Sequence, residues 1–257
     1  LNKLTSKILS LKPDLIVFTG DFLCFSNLQE KNRLKKFLNS LQARFGCFAV
    51  FGNHDYDQFV SVNDHGEYDV IKPSSSTVVK GFKRLFSKKV LKNSVTKRAI
   101  ETPIHQELLD LLKETPFNLL HNENALITIG KSKFNICGLG EYSLAKCLPD
   151  IAFKNFDPTY KGIVLSHHPD SFSLLKHYPG DLILSGHTHG GQVNLPFFKK
   201  KFILLENRDL VRGLIDKENK KIYITRGVGS VMKFRWFSMP EVLLVTFVRP
   251  QEVKDKI

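Results

Sequence analysis

The stretch Leu184–Val193, LSGHTHGGQV, decides how the rest of the chain is read. Leu182, Ile183 and Leu184 run into Gly186-His187-Thr188-His189-Gly190-Gly191. An apolar run that passes into glycines and two imidazoles reads as a buried strand ending in a tight loop. The glycines let the backbone turn and let a bulky ligand approach. Two histidines one residue apart on an extended segment project in different directions, so they suit two neighbouring metal ions better than one. On its own, such a pair is equally compatible with an incidental structural role.

Three other polar clusters close apolar runs. Gly20-Asp21 follows Asp14–Thr19 (DLIVFT), Gly52-Asn53-His54-Asp55 follows Gly46–Phe51 (GCFAVF), and His167-His168-Pro169 follows Gly162–Ser166 (GIVLS). Continuous apolar runs of this kind are what a strand buried on both faces shows. Asp21, Asn53, His54, His167 and His187 thus each sit at or just past the C-terminal end of a strand. In open α/β sheets that edge is where sites form. Taken singly, each is an ordinary cap or turn residue. Four strands delivering carboxylate, amide and imidazole groups to one edge make a constellation.

Around these strands, Leu1, Leu4, Ile8 and Leu11 fall at helical spacing before Pro13. Leu34, Phe37, Leu38 and Leu41 mark a helix over Gln29–Gln42, and another starts at Thr102 or Pro103 and runs through Lys113. Ala125–Ile129 and Lys133–Gly138 read as a hairpin about Gly130-Lys131. Ser171–His177 reads as helix, and Lys221–Arg226 and Val242–Val248 as late strands. The pattern predicts a single α/β domain over residues 1–257, a four-layer α/β/β/α sandwich. Residues 57–104 form a less regular inserted segment, with a loop at the Pro-Ser-Ser-Ser of 73–76.

With 257 residues the chain can bury a sizeable core. No run of 18 or more apolar residues suggests a membrane span. Four cysteines without a CxxC spacing point to a reduced, cytosolic setting and away from thiolate metal sites. The net charge is +13, and Val78–Arg98 holds eight Lys or Arg and no acid, which leaves +5 for the rest. Val79, Phe82, Leu85, Phe86 and Val90 share one helical stripe, flanked or opposed by Lys80, Lys83, Arg84, Lys88 and Lys92. This is a basic amphipathic helix near 78–98, suited to an anionic lipid interface or to packing on the core. Phe234, Trp236 and Phe237, interleaved with Lys233 and Arg235, form either a second such patch or part of the core. A basic surface also suits nucleic acid, but the pairing of charge with an apolar stripe makes nucleic acid the less favoured partner.

Nitrogen and oxygen donors without thiolate suit Mn, Fe, Zn or Mg ions and do not choose among them. Two such ions about 3.5–4 Å apart can activate a water and clamp a phosphoryl group. Asp21 is the candidate bridge. Asp55 beside His54 is expected to fix the imidazole tautomer and favour its charged form. A charged His54 would then stabilise negative charge building on phosphorus or protonate the leaving oxygen.

Together, GD at 20–21, GNHD at 52–55, SHHP at 166–169 and GHTHGGQ at 186–192 resemble the calcineurin-like metallophosphoesterase family, in that family's order. The resemblance implies two divalent metal ions, manganese first among them. It implies that Asp21 bridges both, that Asn53, His167 and His187 complete one site, and that His189 serves the other. His54 would be the catalytic histidine, and His168 a neighbour or bystander. The family's opening Asp-x-His motif does not occur in this sequence. Either upstream residues supply it, which is the expectation, or the first metal site is incomplete. GHTHGGQ and the tail GVGSVMKFRWFSMPE at 227–241 resemble the family branch that acts on lipid-linked or membrane-proximal phosphodiesters. That branch implies a lipid-linked UDP-sugar, UDP-2,3-diacylglucosamine, split to UMP and the lipid 1-phosphate. Arg235, Phe82 and Arg84 would contact it. The setting implied is the cytoplasmic face of the inner membrane, reached peripherally or through an upstream anchor. The rival readings are a phosphodiesterase or phosphatase acting on nucleotide or nucleic-acid esters, and a non-catalytic scaffold or lipid-binding module with an incomplete metal site.

Overall fold

The computed structural model describes residues 1–72, 91–191, 205–229 and 235–248. Within these, alternate residues of each apolar run part to opposite sides, as the two-residue period of a strand requires. Phe48, Val50, Ile163, Leu165, Leu182 and Leu184 meet in an inner cluster with Leu120 and Ile136. Their sequence neighbours Cys47, Ala49, Phe51, Val164 and Ile183 face the other way, into a cluster shared with helices. Burial on both faces is why these runs carry no polar alternation.

Two sheets sandwich the inner cluster. In the first, β1 (Ile16–Phe18), β2 (Cys47–Ala49) and β5 (Phe117–Leu119) run parallel in the order β1-β2-β5. The second comprises β6 (Glu123–Ile129), β7 (Ser132–Gly138), β8 (Gly162–Leu165), β9 (Leu182–Ser185), β10 (Gly213–Lys217) and β11 (Lys220–Ile224). Its order is β10-β11-β9-β8-β7-β6, parallel through the middle and antiparallel at both edge pairs. Outside the sheets, α2 (Lys31–Asn39) contributes Leu38, and α4 (Gln106–Lys113) contributes Leu108, Leu111 and Leu112. The short α5 (Pro149–Ala152) and α6 (Phe172–Leu175) add Ala152, Phe172 and Leu175. The result is the expected α/β/β/α sandwich, with α1 (Asn2–Ser10) burying none of its residues. The parallel strands end together at one rim, and that rim carries the site.

Several local expectations change. Val242–Val248 is not a strand: no ladder partner runs beside it among the described residues. Leu243 instead leans on the inner cluster, and the Phe247 ring meets Phe134 at 5.3 Å. The helix expected over Ser171–His177 shrinks to α6 behind a 3-10 turn at Pro169–Ser171. The irregular segment contains a hairpin, β3 (Val60–Val62) and β4 (Tyr68–Val70), about the Asn63–Gly66 turn. Most of the basic helix near 78–98 falls in 73–90, with Phe82 and Arg84, and lies outside the described residues. Its described end departs from a helix: Val95 makes a parallel bridge to Tyr68, and only α3 (Lys97–Glu101), capped by Thr96, is helical.

Candidate metal centre

Past β1, the chain turns at Gly20 (φ +94) and Asp21 (φ +62). The turn works because the neighbouring strand loops come very close. A Cβ on Gly20 would lie 2.6 Å from the Gly52 nitrogen and 2.7 Å from His167 Nδ1. A Cβ on Gly52 would lie 2.2 Å from Asp21 Oδ1. Glycine at both positions is what lets the Asp21 carboxylate and the imidazole after β8 share one spot.

Four side chains converge there. His167 Nε2 lies 3.2 Å from Asp21 Oδ2, and His187 Nδ1 lies 3.2 Å from His167 Nε2. The same His187 nitrogen is 3.1 Å from Asn53 Oδ1. Ligand atoms of Asp21, His167 and His187 all fall within 4.8 Å of one another. The set is pre-oriented. His167 Nδ1 is 2.7 Å from the Thr19 carbonyl, to which it donates, leaving Nε2 aimed inward. Asn53 Nδ2 donates to the Val60 carbonyl at 2.8 Å, which fixes its amide oxygen toward His187. All four cysteines are free, and none belongs to this cluster. The donors present therefore fit a divalent ion that prefers nitrogen and oxygen.

His189 stands apart from the cluster. Its backbone is left-handed (φ +49), and its Nδ1 lies 3.4 Å from the Arg235 guanidinium. His168 is fully buried behind His187, with ring centroids 4.2 Å apart, and its Nε2 is 3.2 Å from the Tyr68 hydroxyl. Burial, then the charge of His167, pushes the His168 pKa down to about 3. Burial likewise drives His187 well below its ordinary value and His189 to about 4. These rings are neutral at physiological pH, the form in which an imidazole can bind a metal. His167 differs. Burial opposes its charged form, but the Asp21 carboxylate outweighs burial and raises its pKa. Asp21 is held far below the usual carboxylate range by the surrounding imidazoles, against its own burial. A cation in this cluster would displace the His167 proton.

His54 is buried at the rim, but its expected partner is wrong. Among the described residues, no hydrogen bond joins the Asp55 carboxylate to the imidazole. That carboxylate accepts the backbone amides of Asp21 (2.8 Å), Gly52 (2.8 Å) and Leu23 (3.0 Å), tying the β1 and β2 loops together. Burial and the nearby Asp21 charge push the Asp55 pKa up to about 7. The Phe25 amide donates to His54 Nδ1 at 2.7 Å instead. The ring lies between Phe59, at 4.6 Å, and Phe25, at 5.5 Å. Burial lowers the His54 pKa, so the ring is not held charged as expected.

Sequence reasoning missed Thr19, Phe25, Phe59 and Tyr68, which orient the site through backbone and ring contacts. It also missed Glu141, a fully buried carboxylate whose Oε1 accepts from the Ser143 amide (3.0 Å) and hydroxyl (2.7 Å). Its Oε2 has no partner among the described residues. The available signal for Glu141 was its place directly after Gly140 past the end of β7, since Asp21 and Asn53 also follow a glycine past a strand end.

The sequence signature described as calcineurin-like phosphoesterase matches residues 1–191. The chain is 40% identical to the UDP-2,3-diacylglucosamine pyrophosphatase LpxG of Chlamydia muridarum, over 95% of this chain and 77% of that protein. It is 39% identical to LpxG of Chlamydia trachomatis serovar D, with the same coverage. It is 28% identical to the phosphodiesterase YaeI of Escherichia coli, over 92% of this chain and 71% of that one.

Proposed function

This chain belongs to the calcineurin-like phosphoesterase family, and from that premise we propose that it hydrolyses the pyrophosphate bond of UDP-2,3-diacylglucosamine. The products are UMP and 2,3-diacylglucosamine 1-phosphate. One observation carries the reading: the convergence of Asp21, Asn53, His167 and His187 in a chain 40% identical to a pyrophosphatase of that substrate.

Asp21, Asn53, His167 and His187 would hold one divalent ion, and His189 would serve a second beside it. Bound there, the ions supply Lewis acidity toward phosphoryl oxygens and an activated water. Manganese is the ion proposed, on the family resemblance rather than on the donor set. The chain's own residues do the rest. Asp55 fixes the spacing of the β1 and β2 loops through its three amide bonds. His54, with Nδ1 occupied by the Phe25 amide, presents its Nε2 proton to the phosphoryl or leaving oxygen. Arg235, at the edge beside His189, meets the pyrophosphate charge. A substrate with two acyl chains resides in a bilayer, so the site works against a membrane surface, at its cytoplasmic face. Among the described residues, no helix is long and apolar enough to cross a membrane.

The test is Mn-dependent UMP release from micellar UDP-2,3-diacylglucosamine. Release is the expected result. If bis-p-nitrophenyl phosphate is cleaved and the lipid is not, the substrate assignment falls and the phosphoesterase remains. If neither is cleaved, the catalytic reading falls too.

A further inference from the structure

Large apolar side chains usually close on a core, yet Trp236, Phe237 and Met239 leave 53%, 65% and 72% of their surfaces exposed. The Trp236 and Phe237 rings lie nearly parallel, with centroids 6.3 Å apart. Phe237 holds a left-handed backbone (φ +53), which a bulky residue keeps only under restraint. The restraint comes from its neighbours, which point inward. Ser238 is buried, and its hydroxyl donates to the His189 carbonyl at 2.6 Å. Arg235 Nη1 donates to the carbonyls of Arg226 (2.8 Å) and Ser238 (3.3 Å). Arg212 donates to the Phe237 carbonyl at 3.4 Å. Gly190 makes room for this packing, since a Cβ there would sit 2.5 Å from Ser238 Oγ. The turn is thus fastened to the loop that carries His187 and His189, and its apolar tip faces solvent beside the metal centre.

The chemistry of the tip selects its occupant. A Trp and a Phe with the exposed Arg212 guanidinium beside them suit the boundary between headgroups and acyl chains, where apolar surface meets wet, charged groups. The chain carries a net charge of +13, which draws it to an anionic surface. We propose that the Trp236–Met239 turn is a membrane-interface wedge that seats the rim of the metal centre on an anionic phospholipid surface. The proposal rests on the reading of the substrate as a bilayer lipid and names the element that brings the site to it.

Trp236 is the only tryptophan, so its emission reports on this turn alone. The intact protein is titrated with vesicles of phosphatidylglycerol and phosphatidylcholine in equal parts. Emission should shift to the blue and be quenched by phospholipids brominated on their acyl chains. Vesicles of phosphatidylcholine alone should give a weaker response. A Phe237→Ser, Met239→Ser double variant should partition roughly tenfold more weakly or worse, from the loss of two exposed apolar side chains that would enter the bilayer. Its unfolding midpoint and its cleavage of bis-p-nitrophenyl phosphate should not change. The wedge is overturned by absence of vesicle binding, or by binding without a spectral shift. It is also overturned if the double variant partitions normally, or if the blue shift follows protein concentration without vesicles, which would assign the patch to a second copy. UMP release in detergent micelles separates the two readings. Cleavage without insertion removes the wedge alone, and insertion without cleavage removes the substrate assignment alone.

Discussion

At the scale of single residues, His54 shows how a catalytic assignment depends on a partner. Asp55 follows it in sequence but spends its carboxylate on backbone amides. The imidazole is set by an amide from Phe25, 29 positions earlier. A neutral ring so held carries its proton on Nε2, ready to donate. His54→Gln is expected to lower kcat for bis-p-nitrophenyl phosphate by about 10²–10⁴. Bound metal, counted by mass spectrometry, should stay the same, because His54 Nδ1 faces a backbone amide rather than the ligand cluster. A near-normal rate would remove His54 from the reaction.

At the scale of elements, the β3–β4 hairpin is tied to α3 through one buried carboxylate. Asp69 accepts from the Thr96 hydroxyl at 2.6 Å and from Arg98 at 2.6 Å, and from the Val70 amide at 2.8 Å. Thr96 also caps α3 by accepting the Ala99 amide at 3.4 Å. Burial opposes ionisation of Asp69, but these donors prevail and hold its pKa below the ordinary 3.8. A depressed carboxyl contributes stability that is present above its unfolded pKa and is lost as pH falls through the folded value. Asp69→Asn should therefore cost about 1–2 kcal/mol at pH 7. The gap from the parent protein should narrow as pH drops below 3.8. Urea unfolding at neutral and acidic pH measures both. A gap that does not change with pH would show that the charge of Asp69 contributes nothing.

At the scale of the whole molecule, both sheets deliver donors to one rim, so an ion there links the two halves of the sandwich. Asp21 and Asn53 follow strands of the first sheet, and His167 and His187 follow strands of the second. An ion that binds only the folded state stabilises it by about 2.7 kcal/mol at a hundredfold excess over Kd. Chelation should lower Tm, and added Mn should restore it. A Tm indifferent to both would mean that the cluster holds no ion.

The sequence by itself determined the layers and the rim at which the ligand-type residues gather. Uninterrupted apolar runs suit strands buried on both faces, and each ends in glycine or serine and a ligand-type residue. The four clusters at Asp21, Asn53, His167 and His187 are therefore legible in the order of residues alone. Tertiary structure alone decided which groups those side chains meet. The Thr19 carbonyl that orients His167 lies 148 positions away, and no local pattern encodes a contact of that span. The same holds for exposure. Hydrophobicity marks Trp236 and Val242–Val248 as apolar, but it does not say whether another element will cover them. A strand needs a hydrogen-bonded neighbour and a core residue needs a facing surface, and both are properties of the assembled sheets rather than of the segment.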